Sequence, residues 1–310
     1  QRQMCIRDRH MLTVIIVGLA MGTTVAIGRA VGGRRLEDAA HAIGNTITLF
    51  MIVAVVFTAG LLCFVRPIVL LIGTPEQAIA GSIRYLTICF IGIPFITAYN
   101  IISSIFRGLG DSKSPMYFII VACGANILLD YLFIGGLHMG AAGAALGTTL
   151  SQTISVIVAL YAIRKKQTGI RLQKSDFKLH GTTMGQILQI GIPVALQDGF
   201  IQIAFIVITI IANRRGLNEA AAVGIVEKII GVVFLVPSTM LSSVSALSAQ
   251  NIGAGKHDRA TGTLHYALLI TVGYGIVVAI VMQFLSYHVV GLFTDCLLYT
   301  SDAADDSLRV

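Results

Sequence analysis

Eight apolar stretches, each long enough to cross a bilayer as a helix, constrain this chain more than any other feature. They fall at about 11–31, 39–65, 79–106, 115–136, 140–163, 185–213, 220–250 and 261–286. A helix rises 1.5 Å per residue, so about 20 apolar residues match the ~30 Å of hydrocarbon in a membrane. A membrane β-barrel would instead alternate polar and apolar residues over ~10-residue segments, and the sequence has none. The expected fold is an all-α polytopic membrane protein.

Composition agrees. Hydrophobic residues make up 55% of the chain, charged residues 12%, and mean hydropathy is +0.84. Soluble domains carry roughly 25% charged residues, so this chain cannot cover itself with a water-compatible surface. The net charge of +7 does not mark a nucleic-acid-binding protein, because Lys and Arg sit in short loops between apolar runs, where they set orientation. Alternate loops hold thirteen basic residues (Arg29, Arg34, Arg35, Arg107, Lys113, six from Arg164 to Lys178, Lys256 and Arg259) against three (Arg66, Arg214 and Arg215), which places the first set in the cytoplasm. Five cysteines lack CxxC spacing, which argues against a zinc site or a disulfide framework. Cys63, Cys89 and Cys123 read as small core residues within apolar runs.

Both ends look foreign to the fold. Residues 1–9 (QRQMCIRDR) and 296–310 (CLLYTSDAADDSLRV) resemble translated sequencing-adapter read-through. Connections are short except for 164–184, a basic, polar strap on the cytoplasmic side whose Ile170, Leu172, Phe177 and Leu179 can rest on the membrane surface. Ser114-Pro115 reads as an N-cap followed by Pro at the first helical position. Pro94 and Pro237 fall inside spans and should kink or weaken them. Gly140/Ala144 and Gly143/Gly147 are small-xxx-small pairs suited to close helix packing. A repeat is also visible: Val31-Gly-Gly-Arg-Arg-Leu-Glu-Asp-Ala39 is echoed by Ile252-Gly-Ala-Gly-Lys-His-Asp-Arg-Ala260. Both copies fall on one side of the membrane, which implies a parallel repeat about an axis along the membrane normal.

Several segments resemble the MATE (multidrug and toxin extrusion) family. They are Ile105-Phe-Arg-Gly-Leu-Gly-Asp-Ser-Lys-Ser-Pro115, Asn126-Ile-Leu-Leu-Asp130, Gly140-Ala-Ala-Gly-Ala-Ala-Leu-Gly-Thr-Thr149, Gly191-Ile-Pro193 and Ala249-Gln-Asn-Ile-Gly-Ala-Gly255. The resemblance implies twelve helices in two six-helix lobes around a cavity, with this chain running from the second helix to the ninth. The implied organisation is an N-terminal lobe over 10–163, an inter-lobe linker over 164–184 and a partial C-terminal lobe over 185–295. It further implies a multi-pass transporter of a prokaryotic cytoplasmic membrane, monomeric when full length. Such a protein would export amphipathic, often cationic, organic compounds by alternating access in exchange for H⁺ or Na⁺, without a cofactor.

Asp130 is the leading candidate for chemistry. An ionised carboxylate deep in an apolar span costs about 2.5–3.5 kcal/mol on insertion scales, so it is expected to hold a proton or a cation. Asn126 lies one helical turn earlier on the same face. The family resemblance adds Thr148, by its spacing on the next helix, to complete a cation site. The competing reading is that Asp130 caps an interfacial turn near Gly135. Asp198 and Gln202 are candidates for coupling or substrate binding in the second lobe. The family's usual carboxylate position there is Ile201 in this chain, a departure that leaves Asp198 either a substitute or a cap near the helix start. Glu227 and Lys228, inside an apolar run, form either a structural pair or a substrate contact. Phe106, Met116, Tyr131 and Phe205 are candidates to line the cavity, with lipid as their other possible environment.

Nothing in the sequence supports an enzyme. Gly253-Ala-Gly-Lys256 is not a phosphate loop, since Gln250 and His257 stand where Gly and Ser or Thr are required. Neither HExxH nor GxSxG occurs. Two other functions remain open: a flippase for lipid-linked sugars, which would carry more basic residues in its spans than Lys228, and a non-transporting receptor or scaffold.

Overall fold

In lipid only a helix or a closed barrel satisfies its own backbone groups, and the membrane-length spans of the described residues take the first course. The computed structural model describes residues 2–71, 76–165 and 172–291. The tail at 296–310 and Ile170 lie outside these, as does part of the strap. The elements are α1 (Arg2–Gly32), α2 (Leu36–Leu71), α3 (Glu76–Gly108), α4 (Lys113–Asp130), a π-helical turn (Tyr131–Gly136), α5 (Gly140–Lys165), α6 (Gly181–Arg215), α7 (Leu217–Val233), α8 (Leu235–Gly253) and α9 (His257–Gly291). No strand occurs among the described residues. Among the described residues, seven helical spans are long and apolar enough to cross a membrane, with α7 and α8 forming one of them. The remaining expected run is α1, apolar over Ile16–Gly32.

Two compact units divide the chain. The first takes Gln1–Leu196 together with Ala249–Gly255, and the second takes Gln197–Ser248 and Lys256–Val310. In the first unit α3 packs against α1, α2 and α5, while α4 packs on α5. Small residues bring these helices close. Along α5 the buried set is Gly143, Ala145, Gly147, Ser151, Ser155, Val156 and Ala159. Of the two small pairs expected there, Gly143/Gly147 faces the protein, whereas Gly140 is exposed and starts the helix at φ +60°. Polar residues also pair across helices: Thr23 Oγ1 and Thr46 Oγ1 are 3.2 Å apart, and the Thr24 hydroxyl donates to the Ser104 carbonyl. The Gly191-Ile-Pro193 motif has a packing reason, since a Cβ at Gly191 would stand 2.7 Å from the Leu19 carbonyl oxygen.

The second unit has its own small core, Ala222 and Ile229 with Ile225, Val226, Val233 and Met282 around them. Here the expected effect of Pro237 is visible: the run over 220–250 breaks at Phe234, between α7 and α8. Proline has no N–H to give to the carbonyl four residues back, which is Val233. The Tyr274 hydroxyl of α9 donates to that oxygen instead, at 3.1 Å. Pro94, by contrast, lies within an unbroken α3.

The repeat seen in the sequence is a repeat of structure. One helix ends at Gly32 and its counterpart at Gly253, and the next begins at Leu36 and at His257. Between them Arg34 and Gly255 occupy the same left-handed position, φ 56° and 70°. Hydrogen bonds match one for one: Gly33 N–H to Arg29 and Ala254 N–H to Gln250, then Arg34 N–H to Val31 and Gly255 N–H to Ile252. The glycines also exchange partners. A Cβ at Gly32 would overlap the Gln250 carbonyl, and one at Gly253 would overlap the Arg29 carbonyl. That reciprocity is the mark of a two-fold relation.

Three local expectations are corrected. Lys113, not Pro115, opens α4, and its N-cap Ser112 makes no side-chain cap bond. Asp111 does the capping: its Oδ1 accepts from the Lys113 and Ser114 amides, and its Oδ2 from the Ser114 hydroxyl at 2.6 Å. A carboxylate suits the positive end of a helix. Of Cys63, Cys89 and Cys123 only Cys89 is core, because the other two fall on outward apolar faces. Phe106 is core rather than cavity lining, 1% exposed and edge-on to Phe118 at 5.5 Å between ring centres.

Candidate functional site

Asp130 ends α4 and the π-helical turn begins at the next residue. Such turns widen the helix by one residue and often mark functional positions. The carboxylate is turned onto α5, where a Cβ on Gly147 would overlap its Oδ1 and stand 3.4 Å from its Cγ. With the carboxylate in this position, any larger residue at 147 would have to displace it. Oδ1 of Asp130 is buried without a hydrogen-bond partner, and so is Nδ2 of Asn126. Two orphaned polar atoms one turn apart on a membrane helix make a place where a proton or an oxygen-seeking cation would find unmet demand. Thr148 follows Gly147 on α5, and its hydroxyl donates to Ala144 of its own helix at 3.0 Å. The structure therefore brings Asp130 to α5 at Gly147, the residue before Thr148, and the threonine proton is spent locally. Asp130 stands at the N-cap of the turn that follows it and makes no side-chain cap bond there.

The second-unit candidates stand separately. Asp198 and Gln202 are both half-buried on α6. That helix begins at Gly181, about five turns before Asp198 at ~3.6 residues per turn, so Asp198 is no helix-start cap. The helix runs unbroken through Pro193. Glu227 of α7 takes a hydrogen bond from the Thr209 hydroxyl of α6 at 2.9 Å. The same hydroxyl lies 2.9 Å from the Phe205 carbonyl, so one proton serves two acceptors. Lys228 is exposed. Of the residues expected near a cavity, Met116 and Tyr131 are 49% and 77% exposed, on outward faces.

Two polar clusters escaped the sequence reading. Gln250 donates to the Gly108 carbonyl at 2.9 Å, holding the turn at Gly110 (φ +87°) from a position 142 residues away. The second cluster pins the strap to α2. His41 Nδ1 stands 3.0 Å from Asp176 Oδ1, with the Asp176 side chain 6% exposed. The Gln173 amide donates to its Oδ2, Asn45 donates to its carbonyl, and the His180 amide donates back to Asn45 at 2.6 Å. Thr48 donates to the Phe177 carbonyl. His41 and Asn45 stand at i and i+4 on the largely buried first half of α2, and nothing local in the sequence names their partner.

A multi-pass helical membrane protein with paired turns and a buried carboxylate in its first unit is the class these features define. The MatE family description matches residues 5–132 and 193–297, and the chain belongs to that family. "Probable multidrug resistance protein YoeA" of Bacillus subtilis is 28% identical over 290 residues, 91% of this chain and 63% of that protein. "Probable multidrug resistance protein YpnP" of the same organism is 33% identical over 251 residues, 80% of this chain and 56% of its own. Among solved structures, the outward-facing conformation of a multidrug resistance MATE family transporter shares the fold, with TM-score 0.88 at 23% identity over 99% of this chain and 69% of that one. The chain thus spans less than two thirds of the length of these two curated relatives, both named as probable multidrug resistance proteins.

Proposed function

We propose that the chain is the larger part of a secondary antiporter, exporting amphipathic, often cationic, organic molecules in exchange for H⁺ or Na⁺. The observation that carries this reading is the buried, unpartnered Oδ1 of Asp130, seated where α5 offers only Gly147. A carboxylate so placed is stabilised by a bound proton or cation, and occupancy then biases which conformation the transporter adopts. Asn126 supplies an amide beside it, and Thr148 an additional oxygen from the neighbouring helix. Asp198, Gln202 and Glu227 are the second-unit candidates for coupling or substrate contact. The protein would work as a monomer in the cytoplasmic membrane, without a cofactor, its basic strap on the cytoplasmic side.

The test uses the complete gene product, with cationic-dye efflux followed in inverted vesicles under imposed H⁺ or Na⁺ gradients. Gradient-driven efflux abolished by Asp130→Asn, with the protein still inserted, is the expected outcome. Efflux indifferent to that substitution would remove Asp130 from coupling and turn attention to Glu227 and Asp198. No efflux under either gradient, for a panel of dyes, would defeat the exporter reading and favour a lipid-flipping assay.

A further inference from the structure

The strap preceding α6 sorts its side chains into two chemically distinct faces. Inward go Asp176, 5% exposed, and the backbone carbonyls of Asp176 and Phe177, all held by α2. The approach is close enough that a Cβ at Gly44 would overlap the Asp176 carbonyl. Outward go Leu172, Lys174, Phe177, Lys178 and Leu179, every one exposed, with the three apolar side chains 39–47% uncovered. Because the backbone between them is pinned, these five are a fixed surface and not a loose loop.

The level of this surface along α2 says what it meets. Beyond Leu36 at its first residue, the exposed apolar residues of α2 run from Ile52 to Leu70, with Val53, Val55, Val56, Phe57 and Phe64 between and exposed Arg66 near the far end. That stretch is about 28 Å long at 1.5 Å per residue, close to the ~30 Å of a hydrocarbon core. Thr48, which holds Phe177, lies one turn before it. The strap therefore sits at the depth where acyl chains give way to headgroups. Its acidic residue is turned inward to His41; at the start of α2, about ten residues before Thr48, Asp38 is paired with Arg35 at 3.2 Å and Glu37 is exposed. Two lysines and three apolar side chains remain facing that boundary.

We propose that residues 172–179 are a docking surface for anionic phospholipid headgroups in the leaflet bordering the start of α2. Leu172, Phe177 and Leu179 insert among the upper acyl carbons, and Lys174 and Lys178 take the phosphates. A basic side chain near an anionic surface is favoured about fivefold, so the two lysines together select anionic over zwitterionic lipid. This surface requires only that the chain spans a membrane, and it holds whether or not Asp130 couples transport.

The chain contains no tryptophan, so Phe177→Trp introduces a single reporter whose backbone contact to Thr48 is unchanged. Leu179→Trp is the second variant should the first fold poorly. The full chain is reconstituted in mixed phosphatidylcholine–phosphatidylglycerol vesicles, with bromine on the acyl chains of one lipid or the other. The expected result is blue-shifted emission quenched several-fold more strongly by brominated phosphatidylglycerol. Lys174→Gln/Lys178→Gln should abolish that preference and keep the blue shift. Equal quenching by both lipids would overturn the proposal, leaving apolar seating without selection. Unquenched emission typical of water or of a protein contact would overturn it too. Preference surviving in the double-glutamine variant would remove the lysines from the assignment.

Discussion

At Gly147 a hydrogen stands where any other residue would place a carbon against the Asp130 carboxylate. Gly147→Ala should therefore act through Asp130 and not through α5 alone. Overpacking of this kind costs about 1–3 kcal/mol, read as a lowered melting midpoint in detergent. Adding Asp130→Ala should restore most of it, because the double change removes the oxygen that the methyl displaces. Equal losses with and without the carboxylate would mean that the glycine serves helix contact only. Asp130 and Asn126 were legible in the sequence because a polar residue in an apolar span is conspicuous. Gly147 was legible only as a small residue. That it borders a carboxylate depends on how α4 and α5 are rotated about their axes, which no local pattern encodes. His41 was silent for the same reason, since its partner lies on the distant strap.

Helices of this chain were readable one by one, because bilayer thickness imposes a length that composition must honour. What interrupts them was readable only in part. Pro237 signalled trouble and the break came at Phe234, but the remedy came from another helix. Tyr274→Phe should leave the Val233 carbonyl without its donor and destabilise the second unit by about 0.6–1.7 kcal/mol, the span measured for such bonds in membranes. Pro237→Ala should cancel most of that loss by returning an N–H to the same oxygen. Denaturant titration of the single and double variants checks both. Helix starts were less readable: Ser114-Pro115 looked like a beginning, yet Asp111 caps that helix, and Asp198, weighed as a cap near a helix start, lies well inside a helix that starts at Gly181. Proline is permitted at a helix start without being confined to it.

For the whole molecule, the repeat turns carry the clearest consequence. Gly253→Leu should drive the 249–255 segment away from the Arg29 carbonyl and break the Gln250 bond to Gly108. Faster tryptic cleavage after Lys256 in the variant would report it, and an unchanged rate would show that the crossing tolerates bulk. The two-lobed plan was visible because the matched segments fall at corresponding helix ends. The membership of 249–255 was not, since those residues pack with the first unit while their chain neighbours pack with the second. This has a temporal meaning. The Gly108 carbonyl and the Gln250 amide are made 142 residues apart, and at ~5–20 residues per second of synthesis the first waits roughly 7–28 s for the second. Throughout that interval the first unit lacks its last piece, and α7 and most of α8 enter the membrane before it is closed. Assembly of the first half of this protein is thus completed by its second half, and a ribosome that pauses before Ala249 leaves a first unit that cannot finish itself.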